Sequence, residues 1–230
     1  MVDEAIIHHQ ATLMLTFPKH LIAGYRDFAA HRLPTEQSRY RELSEHGQSP
    51  ETMLIGCSDS RVAPETIFDA GPGELFVVRN VANLVPPYAP DGEAHGVSAA
   101  LEFAVQVLRV KHIVVMGHAQ CGGVKALTQQ DSAPLSPGDF IGRWMSIIEP
   151  DPAKLKQSPG EDFDTFITRL EHGVIKRSLQ NLMTFPCIRT KVERGTLLLH
   201  GAYFGVAKGD LYILDKASGK FRTPQEATAV

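Results

Sequence analysis

The chain has 230 residues, enough for one large α/β domain with a real core or for two small ones. Hydrophobic residues make up 43%, charged residues 21% and the net charge is −3, which excludes a nucleic-acid or membrane-surface binder of the basic kind. No apolar run approaches the roughly 20 residues of a transmembrane helix, the first ten residues lack the basic stretch of a signal peptide, and three cysteines make no disulfide framework.

Residues 19–32 and 35–47 have helical character, and Pro34 is expected to separate them. Thr52–Gly56 is a short apolar run closed by glycine and predicts a buried strand. Residues 74–81 (ELFVVRNV) predict a second strand. Over residues 95–109, Val97, Ala100, Leu101, Ala104, Val105 and Leu108 recur at helical spacing and give one apolar face. His112–Met116 predicts a third strand, and residues 122–130 a helix leaving it. Residues 131–160 are rich in Pro, Ser and Asp and read as loop, with a short helix near 143–148. Residues 161–184 predict a longer helix with Phe163, Phe166, Ile167, Leu170 and Val174 on one side. Thr196–His200 predicts a fourth strand, and 211–214 with 220–221 a short antiparallel piece around Ser218-Gly219.

Short apolar strands alternating with helices predict an α/β fold. Its central sheet is expected to be mainly parallel, with about four parallel strands plus an antiparallel edge strand, flanked by helices. The expected organisation is a single domain over residues 1–230 with an N-terminal helical arm over about 1–47. In such sheets ligands sit at the carboxyl ends of the strands. Cys57 follows the first strand and His118 the third, so both fall at one sheet edge although 61 positions apart.

Two segments carry the chemistry: Cys57-Ser58-Asp59-Ser60-Arg61 and His118-Ala119-Gln120-Cys121. Two thiolates and a neutral imidazole suit one tetrahedral Zn²⁺ per chain. Asp59 can fill the fourth position, or Arg61 can hold Asp59 in a bidentate pair and leave that position to water. A purely structural zinc has little use for an arginine able to withdraw a ligand, so the pattern points to a catalyst.

Cys57-x-Asp59-Ser-Arg61 with His118-x-x-Cys121-Gly-Gly resembles the β-class carbonic anhydrases. The likeness extends through Gln48-Ser49-Pro50, residues 72–83 (PGELFVVRNVAN) and residues 95–100 (HGVSAA), and spans most of residues 20–215. It points to a bacterial member of the plant-like subgroup. The resemblance implies reversible hydration of CO₂ to bicarbonate and a proton by zinc-bound hydroxide. It implies Cys57, His118 and Cys121 as ligands, with Asp59 and Arg61 as a gating dyad. Asp59 is itself a ligand only in the closed, inactive state.

The resemblance also implies substrate contacts from Gln48, acting from a partner subunit, from the apolar Phe76 and Val81, and from the backbone of Gly122. Phe103 stands where a tyrosine is usual, which removes one hydroxyl. A homodimer or larger homo-oligomer in the cytoplasm is expected, with no nucleic-acid or membrane partner. The sole tryptophan, Trp144, lies in the loop-rich region, so the non-catalytic bicarbonate site of another subgroup is not expected. Hydrolysis of CS₂ or COS on the same zinc core stays open. So does a non-catalytic zinc or bicarbonate-sensing module. A zinc deaminase is not, because His-x-Glu and Pro-Cys-x-x-Cys are missing around His118 and Cys121.

Of the ten histidines, those at 8, 9, 20, 31 and 46 are expected to be solvated, and His95 and His112 structural. His200, at a strand end, is the most site-like of the rest, but no proton shuttle is assigned. Cys187 has no second thiol or histidine at ligand spacing and is read as a spectator. Arg79 and Asn80 are expected to fix loop geometry.

Overall fold

The computed structural model describes residues 17–128, 134–148 and 156–227. Contacts between backbones divide the chain into Met1–Gln48 and Ser49–Val230. In the first unit, helix α1 (Lys19–Asp27) runs through a π-helical stretch, Phe28–Arg32, into α2 (Leu33–His46). The expected break at Pro34 is absent. Pro34 comes just after the π-helical stretch, inside one continuous run of helix. The wide turn before it accommodates the ring that would press on the preceding carbonyls. Gly47, with φ 79°, ends α2 as only glycine does without strain, and its N–H donates to the Leu43 carbonyl.

The second unit is built on six strands in the order β2-β1-β3-β4-β5-β6. These are β1 (Thr52–Cys57), β2 (Leu75–Asn80), β3 (His112–His118), β4 (Leu198–Gly205), β5 (Asp210–Leu214) and β6 (Phe221–Arg222). The first four in that order are mutually parallel; β5 and β6 are antiparallel additions. The expected single antiparallel edge strand is thus joined by a two-residue second one. Met53, Leu54 and Ile55 of β1 and Ile113, Val115 and Met116 of β3 are almost wholly buried. Both faces of these central strands are covered, which is why their sequences run apolar without alternation.

Helix α3 (Pro64–Ile67) follows β1. Between β2 and β3, α4 (Gly96–Glu102) continues as a π-helical stretch, Phe103–Leu108. Its buried Leu101, Ala104 and Val105 meet Met53, Ile55, Ile113 and Val115 in one core. After β3 come α5 (Gly122–Ala126) and α6 (Phe140–Met145). Helix α6 starts three residues before the predicted stretch. Part of the helix expected over 122–130 and part of the loop expected over 131–160 lie outside the described residues.

Helix α7 (Phe163–Leu182) is the long one, capped by Asp162, whose side chain accepts from the Thr165 N–H at 2.9 Å. Phe166, Ile167, Leu170 and Val174 are buried as the spacing predicts, whereas Phe163 is 50% exposed. It lies in the first turn, ahead of the point where the helix meets the sheet. Helix α8 (Pro186–Glu193) and α9 (Pro224–Ala227) complete the described chain. Strand β4 begins two residues later than the sequence suggests and continues to Gly205. At Gly117 a Cβ would lie 2.8 Å from Ile175 Cδ1, so the missing side chain lets α7 approach β3 beside the site.

Candidate metal centre

Strand register builds the site. Gly56 of β1 pairs with Met116 of β3, so the two strands deliver Cys57 and His118 to the same carboxyl edge. The chain then turns at Gln120, whose φ of 59° is left-handed, and Cys121 caps α5. One ligand atom from each of Cys57, His118 and Cys121 lies within 4.8 Å of the others. All three residues are buried, at 5%, 1% and 2% exposure.

The donor set fits a zinc ion. The two sulfurs are 4.0 Å apart, against an edge of about 3.8 Å for two thiolates on tetrahedral Zn²⁺. His118 Nδ1 donates to the Ala119 carbonyl at 2.9 Å, which fixes the tautomer and turns the Nε2 lone pair inward. That Nε2 is buried and has no hydrogen-bond partner, the condition of a ligand atom waiting for a cation. Backbone N–H groups of Asp59 and Ala82 face the Cys57 sulfur, and those of Gly123 and Val124 face the Cys121 sulfur, all favouring thiolate. The hydrogen bond with Cys121 pulls the Cys57 thiol down, while that bond and burial push the Cys121 thiol up.

Asp59 and Arg61 form a fork beside this triad. Arg61 Nε and Nη2 donate to the two carboxylate oxygens of Asp59 at 2.9 and 2.7 Å, and Nη2 also reaches the Gln120 carbonyl at 3.1 Å. Arg61 thereby holds the Asp59 carboxyl far below the usual carboxylate range. Asp59 Oδ2 is still only 3.9 Å from His118 Nε2. Arg79, from β2, donates to the carbonyls of Cys57 at 2.9 Å and Asp59 at 2.6 Å, tying the ligand and the acid to the neighbouring strand.

The remaining expected site residues divide. Val81 follows Asn80, the register partner of Cys57, and Gly122 follows Cys121, so both adjoin the triad. A Cβ at Gly123 would meet Val81 Cγ1 at 2.8 Å, which shows how closely α5 seats on that segment. Trp144 donates its indole N–H to the Val81 carbonyl at 2.8 Å. Phe76 and Phe103 form a ring pair 5.9 Å apart, but at the other end of β2: Phe76 pairs with Met53, four residues or about 13 Å from Cys57 along the strand. Within one chain they do not join the triad. Gln48 belongs to the first unit.

Sequence reasoning missed Glu171. It is 2% exposed, accepts from the Cys121 N–H at 2.9 Å and from the Tyr203 hydroxyl at 2.7 Å. The signal was present: position 171 falls on the apolar stripe of α7, where an acid is out of place. His112 and His200 share a hydrogen bond of 3.2 Å at the amino half of β3 and β4, away from the triad. His95 pairs with Asp91 at 2.7 Å. His20, His31 and His46 are exposed, and His8 and His9 lie outside the described residues. Cys187 is half-buried at the start of α8.

Comparison with known proteins agrees with this geometry. A family model described as carbonic anhydrase matches residues 52–211. β-Carbonic anhydrase 3 of Arabidopsis thaliana is 36% identical over 198 residues, covering 84% of this chain and 76% of that protein. The structure of the β-carbonic anhydrase CcaA superposes with a TM-score of 0.83 at 32% identity, covering 90% of this chain and 92% of that one. CafA, a β-carbonic anhydrase of Aspergillus fumigatus, gives a TM-score of 0.71 at 31% identity, with coverages of 90% and 93%. A tetrameric β-carbonic anhydrase of Sordaria macrospora gives 0.71 at 27% identity, with coverages of 89% and 98%. The chain belongs to the β-class carbonic anhydrase family.

Proposed function

We propose that the Cys57–His118–Cys121 centre hydrates CO₂ reversibly, with Asp59 and Arg61 controlling access to its fourth coordination position. Zn²⁺ bound there supplies a water acidified enough to act as a nucleophile near neutral pH, tempered by the charge of two thiolates. The observation that carries the reading is the Arg61–Asp59 fork. Among the described residues three ligand groups converge, and the acid that could close the set is held by both its oxygens on a guanidinium. A fourth position kept free of protein is the mark of a catalytic rather than a structural site.

In this reading Asp59 accepts the nucleophile's hydrogen bond and orients its lone pair toward the substrate carbon. Arg61 keeps Asp59 charged and turned away from the ligand position. Asp59 stays ionised over any working pH, so a fall of activity in acid does not report loss of its charge. Val81 and the Gly122 N–H flank the substrate on the same chain, while Gln48, Phe76 and Phe103 act from the partner subunit of a homodimer or larger assembly. The exposed apolar side chains of Val81, Phe103 and Val107 support a covering partner. Thiols required as ligands need a reducing compartment, which supports the cytoplasm. Among the described residues no helix is long and apolar enough to cross a membrane.

The test is stopped-flow CO₂ hydration on zinc-quantified protein from about pH 6.5 to 9, the range around the ionisation of a zinc-bound water. Activity rising with pH at one zinc per chain is expected. Full zinc without hydration at any pH overturns the proposal and turns the assay to CS₂ and COS.

A further inference from the structure

Helix α7 carries one acid into the core. On its buried face Glu171 sits among Ile167, Leu170, Val174 and Ile175. A carboxylate withdrawn from water costs several kcal/mol unless donors surround it. Glu171 accepts from the backbone N–H of Cys121 on one oxygen at 2.9 Å and from the hydroxyl of Tyr203 on the other at 2.7 Å, and the backbone N–H of Gln120 also favours its charged form. Tyr203 is itself 6% exposed, on β4. The other buried polar residues of α7 bond to backbone in the same manner. Ser178 Oγ accepts from the Val85 N–H and donates to the Asn83 carbonyl, and Asn181 donates to the Val85 carbonyl. Glu171 differs in its target, which is the backbone of a ligand.

Cys121 follows a left-handed non-glycine residue, Gln120, and precedes the first turn of α5. Its N–H lies outside the helix ladder and needs an acceptor. Without one, this turn has little to hold its strained backbone, and the sulfur direction drifts with it. We propose that Glu171 is a positioning residue of the metal centre: its carboxylate fixes the Cys121 backbone and hence the aim of the Cys121 sulfur, and Tyr203 locks the carboxylate in place. This rests on the zinc reading above, and deepens it by naming what holds one ligand at ligand geometry. Partners of this kind behind a ligand typically govern metal affinity by 10–100-fold.

Two substitutions separate position from charge. Glu171→Gln keeps the length and an oxygen for the Cys121 N–H but loses the charge. Glu171→Asp keeps the charge but is one methylene too short to reach both donors. Each is loaded with Co²⁺, and the thiolate-to-cobalt and d–d absorption bands are recorded. Affinity is read by chelator competition, and CO₂ hydration alongside. The expected result is a Gln variant within about threefold of wild type with an unchanged spectrum, and an Asp variant binding about 10–100-fold more weakly with displaced d–d bands.

The reverse order, with Asp like wild type and Gln altered, overturns positioning in favour of a charge effect. Wild-type spectra and affinities in both variants, whatever their melting temperatures, also overturn it, because a merely structural role moves only the melt. If the Asp variant does not fold, Tyr203→Phe takes its place; it frees one carboxylate oxygen, and an unchanged cobalt spectrum there overturns the proposal. A wild-type chain that gives no thiolate-to-cobalt band overturns the zinc reading itself, a failure visible before any variant is compared.

Discussion

Arg61 spends its guanidinium on Asp59 and the Gln120 carbonyl, both beside the ligands. Its role is therefore separable from zinc binding. Arg61→Ala is expected to keep one zinc per chain while turnover falls by about 100-fold, the upper range for a residue that orients a group beside a metal. Metal analysis with stopped-flow hydration checks both halves, and full activity in the variant refutes the gating role. Arg61→Lys is expected to recover little, since an ammonium cannot form the two-pronged pair. The cluster of Cys57, His118 and Cys121 was legible from residue type and spacing, because Cys and His at matched strand ends are brought to one sheet edge. Glu171 was not, because nothing local to an acid in a helix says which backbone N–H it will meet.

At the scale of elements, α7 acts as a splint. Ser178 and Asn181 bind the segment at 83–85, which includes left-handed Asn83 and follows left-handed Ala82 next to Val81. Asn181→Leu leaves the buried Val85 carbonyl without its donor and is expected to cost about 1–3 kcal/mol. A lower urea midpoint at unchanged slope checks it. The helix was predictable from its apolar spacing over some five turns. The short α3 and α8, each opening on proline, were not, because one or two turns carry too few positions for a period to show. The break expected at Pro34 is absent because the π-helical turn just before it makes room for the ring.

At the scale of the molecule, His172 closes the C-terminal strand onto α7. Its ring stacks on Phe221 at 4.1 Å and meets Tyr203 edge-on at 4.5 Å. Burial, with the charge of Lys176, lowers its pKa to about 4 from an unfolded value of 6.5. As pH falls the unfolded chain takes up this proton first. The stability is complete above about pH 6.5 and is lost toward pH 4. The loss is expected to be about 1–2 kcal/mol, the ring's partial exposure included. Thermal melts of wild type and His172→Phe over this range, both zinc-loaded, check it: the variant should show the shallower acid decline, and parallel declines refute the assignment.

The sequence by itself determined the family, the Cys57, His118 and Cys121 cluster that could hold a metal, and the parallel α/β class. Each rests on local facts: which donor atoms a residue owns, and whether a run is apolar enough to be buried on both faces. Only the tertiary structure decided that Arg61 also reaches the Gln120 carbonyl, that Glu171 reaches Cys121, and that Phe76 and Phe103 pair away from the triad of their own chain. Those outcomes depend on strand register and on the rotation of a helix about its axis. Both are set by the packing of the whole sheet rather than by any one segment.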